Sequence, residues 1–484
     1  MYKGRTVALF VVVAVLASSI LTMTLTGNWN FARSGVAGSG SYASTAGQAS
    51  KEDMSKIETA LNLVKNNYVQ NVDQSKLVDG AINGIMGALD DPFSSYMGKT
   101  TAEQFTSQIQ GSFSGIGAEV SMENGNVVVV SPIKGSPAEK AGIHAKDILL
   151  SVNGESFEGL GLNEAVAKIR GKKGTIAKVK VKRAGNSAVL EFAIKRDDIA
   201  METVNAHMDK NKIGYIEITE FSLNTGERFK KELESLENQG MKGLVIDVRN
   251  NPGGVLSVVI DMAQRMIGKD KIIVQVEDKK QQREKTLSKG TAKDYPIAVL
   301  TNKGSASASE ILAGALQESA NAKLIGDTTY GKGTVQTSFE KELGDGSLLK
   351  ITIAKWLTPK GEWIHKKGIK PDIAVAQPAY FAAAPINKEK TWKYDMNDDN
   401  IKNAQVMLDG LGFAPGRKDG YFDTNTLNAV KSFQKSNTLT VTGEIDSKTA
   451  EALEKNLITH IRDPKNDVQL NRAFTEVEKE ITAR

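Results

Sequence analysis

The stretch Pro296–Gln317, PIAVLTNKGSASASEILAGALQ, decides how this chain is read. It opens as an apolar run of strand length, passes through a glycine turn, and ends with apolar residues at helical spacing. A buried strand running into a helix belongs to an α/β sheet, and the turn between them carries a side chain to the mouth of that sheet. There the amides of a helix N-terminus can stabilise an oxyanion. Three serines, Ser305, Ser307 and Ser309, alternate across the turn. Small residues have a plainer use there too, because serine and alanine allow close backbone approach and serine caps helices. This stretch alone leaves the three in competition.

Around it the rhythm is strand, helix, strand, helix. KIGYIEI reads as a strand, RFKKELESLE carries Phe229, Leu233 and Leu236 on one helical face, and GLVIDV is a continuous apolar strand. VLSVVIDMAQRMI reads as a buried helix, KIIVQV as a strand, and TVQTSFEKELGDGSLLKITIAKWLTP as a hairpin turning at Gly344-Asp345-Gly346.

A serine hydroxyl needs a base within hydrogen-bond reach to act as a nucleophile. The four histidines, His144, His207, His365 and His460, fall in no recognisable catalytic or metal-ligand spacing, although a Ser/His pair built from His365 remains open. Lysine is the other option, provided that desolvation lowers its pKa from about 10.4 toward neutrality. Lys332 lies between Gly331 and Gly333 in the otherwise uncharged TTYGKGTVQTS.

The 484 residues exceed one domain, and the formal charge of +5 is spread over 62 basic and 57 acidic residues. No concentrated basic stripe marks a nucleic-acid binder. Cysteine is absent, which removes thiolate nucleophiles and Cys-based metal sites. Behind Lys3 and Arg5 runs a charge-free apolar segment, so residues 1–27 are expected to be a membrane anchor or a cleaved signal, with the bulk of the chain exported. Residues 28–51 read as a Gly/Ser-rich linker. Residues 52–99 read as short helices, with Ile57, Leu61, Val64 and Tyr68 at helical spacing, that pack on the main body or on a second copy. Residues 100–198 change to short β runs. There Lys178, Lys180 and Lys182 alternate with Val179 and Val181, as on a strand with one solvated face.

Within that segment Gly135–Glu155, GSPAEKAGIHAKDILLSVNGE, resembles the core of a PDZ domain of the bacterial protease type. The resemblance implies capture of a peptide's C-terminal strand and carboxylate. The loop Gly115, Ile116 and Gly117 would supply backbone donors, and the groove would run between Ala118 to Val120 and the helix bearing Val166 and Ile169. Arg170 would link this domain to the catalytic core, or simply interact with the helix's C-terminal carbonyls.

GSASASEILAGALQ and YGKGTVQ, together with LVIDVRNNPGG and IKPDI, resemble the carboxy-terminal processing (tail-specific) serine peptidases, in particular their sporulation-type bacterial members. The resemblance implies an α/β (α+β) multidomain chain with a crotonase-like protease core at 199–384. It nominates Ser307 as nucleophile, Lys332 as general base and Gln336 as the group that orients the lysine, since Lys332, Thr334 and Gln336 would share one strand face. The oxyanion hole would come from the N–H of Ala308 and of Gly253 or Gly254. The implied function is an exported endopeptidase of the bacterial cell envelope, working through an acyl-enzyme on proteins with a free C-terminus, with neither metal nor other cofactor, as a homodimer and in signalling between compartments. A non-cleaving scaffold is the rival reading.

Residues 385–484 read as a further unit of three helices and resemble the peptidoglycan-binding-like fold at Gln405, Leu408, Asp419-Gly420-Tyr421-Phe422 and Phe433-Gln434. Asp423 stands where that family usually has glycine. The resemblance implies peptidoglycan as a partner, with docking or dimerisation as the alternative.

Overall fold

The computed structural model describes residues 50–484 apart from 124, 185 and 187, so the expected anchor over 1–27 and nearly all of the expected linker lie outside the described residues. Among the described residues no helix is long and apolar enough to cross a membrane. Helices α1 (Lys51–Asn67) and α2 (Gln74–Gly87) begin at Ser50 and Asp73, whose side chains accept from the N–H groups of Asp53 and Ser75. Their apolar stripes stay largely uncovered within the chain: Leu63 is 59% and Tyr68 57% exposed, and of the two helices only Met86 is buried. The chain then turns inward. Strand β1 (Ser95–Met97) and helix α3 (Lys99–Gln110) follow, and the helix buries Ala102, Phe105 and Ile109 in the main core.

A β-rich unit comes next, its neck closed by β2 (Ser112–Gly115), which pairs later with the outgoing strand. It contains β3 (Ala118–Glu123), β4 (Asn126–Pro132), α4 (Pro137–Ala141), β5 (Ile148–Val152), β6 (Glu155–Ser156), α5 (Leu162–Ile169), β7 (Ile176–Lys182) and β8 (Leu190–Lys195), and β9 (Asp197–Ala200) returns to β2. The sheet order is β3-β4-β5-β7-β8, which leaves β3 at an edge. On β7 Ala177, Val179 and Val181 are buried while the lysines face solvent, as the alternation requires.

The central body holds β10 (Val204–Met208), β11 (Ile213–Ile218), α6 (Thr225–Asn238), β12 (Gly243–Asp247), α7 (Leu256–Gln264), β13 (Ile272–Asp278), β14 (Arg283–Leu287), β15 (Ile297–Thr301), α8 (Ala308–Ser319), β16 (Lys323–Gly326), β17 (Thr334–Phe339), β18 (Leu348–Leu357) and β19 (Ile373–Ala374). One sheet has the order β10-β11-β12-β15-β16-β19 and is parallel from β11 onward. All five residues of β12 and of β15 are buried, the reason both read as unbroken apolar runs. The second sheet is antiparallel, with β18 bonded to β1, β13 and β17. Between the sheets α6, α7 and α8 contribute Phe229, Val259 and Leu312 to one core.

Helices α9 (Asp399–Gly410), α10 (Thr424–Ser436) and α11 (Ser447–Arg462) enclose a separate core around Leu408, Phe422, Phe433 and Leu453. Asp423 caps α10 by accepting from the Thr426 N–H at 2.8 Å, so the departure from glycine has a structural use. The last helix, α12 (Val468–Thr482), corrects the expectation of one three-helix unit over 385–484. Its Leu470, Ala473 and Val477 lie on Ile213, Val245, Ala298, Leu300 and Ile325 of the parallel sheet. A parallel sheet buries both faces; helices of the central body cover one and α12 the other.

Candidate active site

At the end of β15 the chain turns through Asn302–Ala306 and enters α8 at Ala308, leaving Ser307 at the helix entrance with φ 55° and ψ −112°. A non-glycine residue persists in that region only where its surroundings hold it. The flanking serines supply part of the hold. Ser305 Oγ donates to the Val248 carbonyl at 2.8 Å and accepts from the Asn302 N–H at 3.0 Å, while Ser309 Oγ donates to the Asn251 carbonyl at 2.8 Å. Ser307 Oγ is buried and, among the described residues, hydrogen-bonds to nothing. Two of the three hydroxyls bolt the turn down; the middle one is spent on no such bond among the described residues.

The Glu310 carboxylate completes the hold. It accepts from the N–H groups of Ser307 (2.8 Å), Gly331 (2.7 Å) and Lys332 (2.8 Å) and from the Thr329 hydroxyl (2.6 Å). One buried group therefore fixes the serine turn and the lysine loop to each other. Burial pushes its carboxyl up, against the pull of these hydrogen bonds.

Lys332 is fully buried. Desolvation, assisted by the charge of the buried Lys350 and opposed by Glu310 and Asp91, lowers its amine to about 7. Its Nζ lies 5.1 Å from the centroid of the Phe93 ring, and its carbonyl accepts from Trp356 Nε1 at 2.8 Å. The flanking glycines are needed sterically: a Cβ on Gly331 would come within 2.9 Å of the Gly368 nitrogen, and one on Gly333 within 2.8 Å of Trp363 Nε1.

Gln336 sits on β17 with Thr334, and the two share a face, for Gln336 Nε2 donates to Thr334 Oγ1 at 2.8 Å and to Thr352 Oγ1 at 3.0 Å. Lys332 lies two residues before that strand begins, which corrects the expectation that all three are strand residues. Gln336 Oε1 is buried and, among the described residues, accepts no hydrogen bond.

The turn after β12 presses against Ser307. A Cβ on Gly253 would stand 2.7 Å from the Ala306 oxygen, 2.9 Å from Ser307 Cβ and 3.0 Å from the Ala308 nitrogen. The Gly253 N–H is already engaged by Asn251 Oδ1 at 2.9 Å, whereas those of Gly254 and Ala308 donate to no acceptor among the described residues. A cavity of about 330 Å³ is lined by Leu256, Ile260, Val276, Val335, Ile353 and Gln336.

His365 stacks on Trp363 at 5.1 Å between centroids and meets the edge of Phe93 at 6.1 Å. No hydrogen bond joins it to Ser307. In the β-rich unit Gly115 ends β2, Ile116 is buried, and Gly117 has φ 78° with its would-be Cβ 2.4 Å from Ser136 Cβ. The N–H groups of Ile116 and Gly117 donate to no acceptor among the described residues. Ala118 and Val120 lie on edge strand β3, and Val166 and Ile169 on α5. Arg170 places its guanidinium over the Phe113 ring, 4.9 Å from the centroid.

Sequence reasoning missed Glu310, Asp91, Phe93 and Lys350. Only Glu310 left a local signal, the serine-to-glutamate spacing of a capping box.

The sequence family described as Peptidase family S41 matches residues 212–375. A PDZ domain matches 105–182, the N-terminal domain of the activating protease CtpB matches 23–101, and a peptidoglycan binding domain matches 397–453. The chain is 49% identical over 425 residues to the carboxy-terminal processing protease CtpB of Bacillus subtilis (strain 168), covering 87% of this chain and 88% of that one. It is 44% identical over 480 residues to carboxy-terminal processing protease CtpA of the same organism, covering 99% and 100%.

Proposed function

The chain belongs to peptidase family S41, as a carboxy-terminal processing serine protease that carries a PDZ domain, and from that premise we propose how its residues divide the work. Ser307 Oγ attacks the peptide carbonyl while the neutral Lys332 amine takes its proton; the resulting ammonium then protonates the leaving amine. Water, activated by the same lysine, hydrolyses the acyl-enzyme and releases the serine. The oxyanion sits between the N–H groups of Ala308 and Gly254, with Gly253 packing the turn against the serine. Gln336 orients the lysine through Oε1. The apolar cavity beside it takes a substrate side chain.

The observation that carries this reading is the conjunction of a buried amine lowered to about 7 with a buried, unpartnered serine hydroxyl, both tied to the Glu310 carboxylate. The PDZ domain receives the substrate's free C-terminus at edge strand β3, its carboxylate held by the N–H groups of Ile116 and Gly117. Residues 1–27 deliver the protein to the outer side of a bacterial membrane, the three-helix unit holds it at peptidoglycan, and the uncovered faces of α1 and α2 pair two copies. The protease then acts in the cell envelope as a regulated signalling enzyme.

Cleavage of an unfolded protein by the full chain tests the chemistry. Loss of turnover in both Ser307→Ala and Lys332→Ala supports it, and equal cleavage by all three proteins refutes it in favour of a non-cleaving scaffold. A Ser/His hydrolase predicts the reverse pattern, with turnover abolished in His365→Ala and spared in Lys332→Ala.

A further inference from the structure

We propose that Asp91 and Thr352 are positioning residues of the catalytic site, holding the Gln336 amide in the orientation that leaves its oxygen free to accept from the Lys332 amine. The proposal rests on the reading of Gln336 as the residue that orients Lys332.

Asp91 lies in LDDPFSSYM, between α2 and β1 and outside the residues that match the peptidase family. Its Oδ2 accepts from Thr352 Oγ1 at 2.6 Å and from Ser94 Oγ at 2.6 Å, and its Oδ1 accepts from the Phe93 N–H at 3.1 Å. Ser94 Oγ in turn accepts from the Thr352 backbone N–H at 2.9 Å. Segment and strand are thus joined at two points around one threonine. The register of β17 on β18 shifts at this place: Val335 faces Ala354 while Gln336 faces Thr352, with Ile353 the extra residue. Such a bulge re-aims the side chains beside it, and here Thr352 comes opposite Gln336.

The direction of the hydrogen bonds follows from the donor inventory. An ionised carboxylate only accepts, so the Thr352 hydroxyl spends its hydrogen on Asp91 and offers only lone pairs to Gln336. The amide must answer with NH₂. Its second proton goes to Thr334 Oγ1, and both donors are then used. Oε1 is left as a buried acceptor without a donor among the described residues, an arrangement that native structures keep where the group has a use. Asp91→Asn would break this logic. An asparagine amide can donate to the threonine oxygen, freeing the hydroxyl to point at Gln336 and favouring the flipped amide, which presents NH₂ to the lysine.

Steady-state cleavage of an unfolded protein by the full chain decides the matter. Asp91→Asn and Thr352→Val are each expected to lower kcat about tenfold or more with KM unchanged, as the loss of an oriented base requires. Thr352→Ser, which restores the hydroxyl, should return kcat to wild type. In a Gln336→Ala background neither substitution should lower kcat further, because residues acting through one group are not additive. Independent, multiplicative losses in that background would overturn the proposal. A slow Gln336→Ala beside a fully active Thr352→Val would overturn it while leaving the role of Gln336 standing. Wild-type turnover by Gln336→Ala would remove that role, and the proposal with it. Thr352→Val is isosteric and leaves the strand intact, so it decides the question should Asp91→Asn melt below the assay temperature.

Discussion

Arg249 and Asp467, 218 residues apart, meet in a two-pronged ion pair: Nη1 donates to Oδ1 at 3.0 Å and Nη2 to Oδ2 at 2.8 Å. Arg249 also grips Asp247, and it opens the RNNPGG turn that ends in Gly253 and Gly254. Asp467 caps α12 by accepting from the Leu470 N–H and takes Gln377 Nε2 at 2.6 Å. The chain segments entering and leaving the three-helix unit therefore converge on the base of the proposed oxyanion turn. Asp467→Ala is expected to destabilise the central body by about 1–3 kcal/mol, since it removes a helix cap and charge-assisted bonds while Asp247 still neutralises the arginine. It should also lower kcat more than it raises KM. Denaturant unfolding and steady-state kinetics check the two effects separately; unaltered kinetics in a folded variant would show that the clamp does not reach the turn.

At Ser307 the backbone angle makes a separate prediction. With φ at 55° any residue bearing a Cβ is strained, and glycine is not. Ser307→Gly and Ser307→Ala should both be inactive, yet the glycine variant should be the more stable by about 0.5–1 kcal/mol. Ser305→Ala should lose about 1 kcal/mol, because it deletes a buried bond to the Val248 carbonyl, while keeping measurable cleavage. Melting curves alongside a cleavage assay distinguish turn-holding serines from the reacting one.

Much of this was readable along the chain, and what was not shares a cause. The buried strands, the alternating lysines of β7 and the serine turn are local patterns, so periodicity and turn chemistry exposed them. Lys332 was local as well, a charge in an uncharged, glycine-flanked loop. Gln336 was placed with it on one strand, but the strand starts only at Thr334. Asp91 and Phe93 join Lys332 only through tertiary structure, because β1 pairs with β18. Nothing in LDDPFSSYM announces that pairing. The same holds for α12: its apolar spacing is helical, but which surface it covers depends on a sheet formed far earlier in the chain.

The proposed role of Lys332 as general base predicts a pH dependence of turnover. The Lys332 amine, lowered to about 7, accepts a proton only when neutral, so kcat/KM should fall as pH drops through about 7 and level off above it. Lys350, itself buried and lowered to about 8, is one of the causes of that depression. Lys350→Met should therefore move the activity limb to higher pH. A limb unchanged in Lys350→Met would assign it to some other group.

Stability gives the complementary sign. Because the folded value lies below the ordinary 10.5, the unfolded chain binds the extra proton between about pH 7 and 10.5. The buried amine thus costs stability, most at pH 7 and below, and this penalty fades as pH rises toward 10.5. Lys332→Met should abolish cleavage and raise stability near neutrality by about 1–4 kcal/mol, with the gain shrinking at alkaline pH. Denaturant titrations at two pH values measure it, and a destabilised methionine variant would mean that the lysine is held by interactions stronger than its desolvation.

Recognition of the substrate's end is testable apart from cleavage. The N–H groups of Ile116 and Gly117 are unengaged within the described chain, while their carbonyls accept from Ala138 and Ile133 and so fix the loop that presents them. β3 offers its open edge beside α5. A peptide with a free C-terminus and apolar side chains should bind the inactive Ser307→Ala full chain, and amidating that terminus should weaken binding about tenfold, since a charged acceptor on backbone donors becomes a neutral one. Gly117→Ala should weaken it too, because the added methyl collides with Ser136 and moves the loop. Equal affinity for acid and amide peptides would rule out carboxylate capture and leave edge pairing alone to account for recognition.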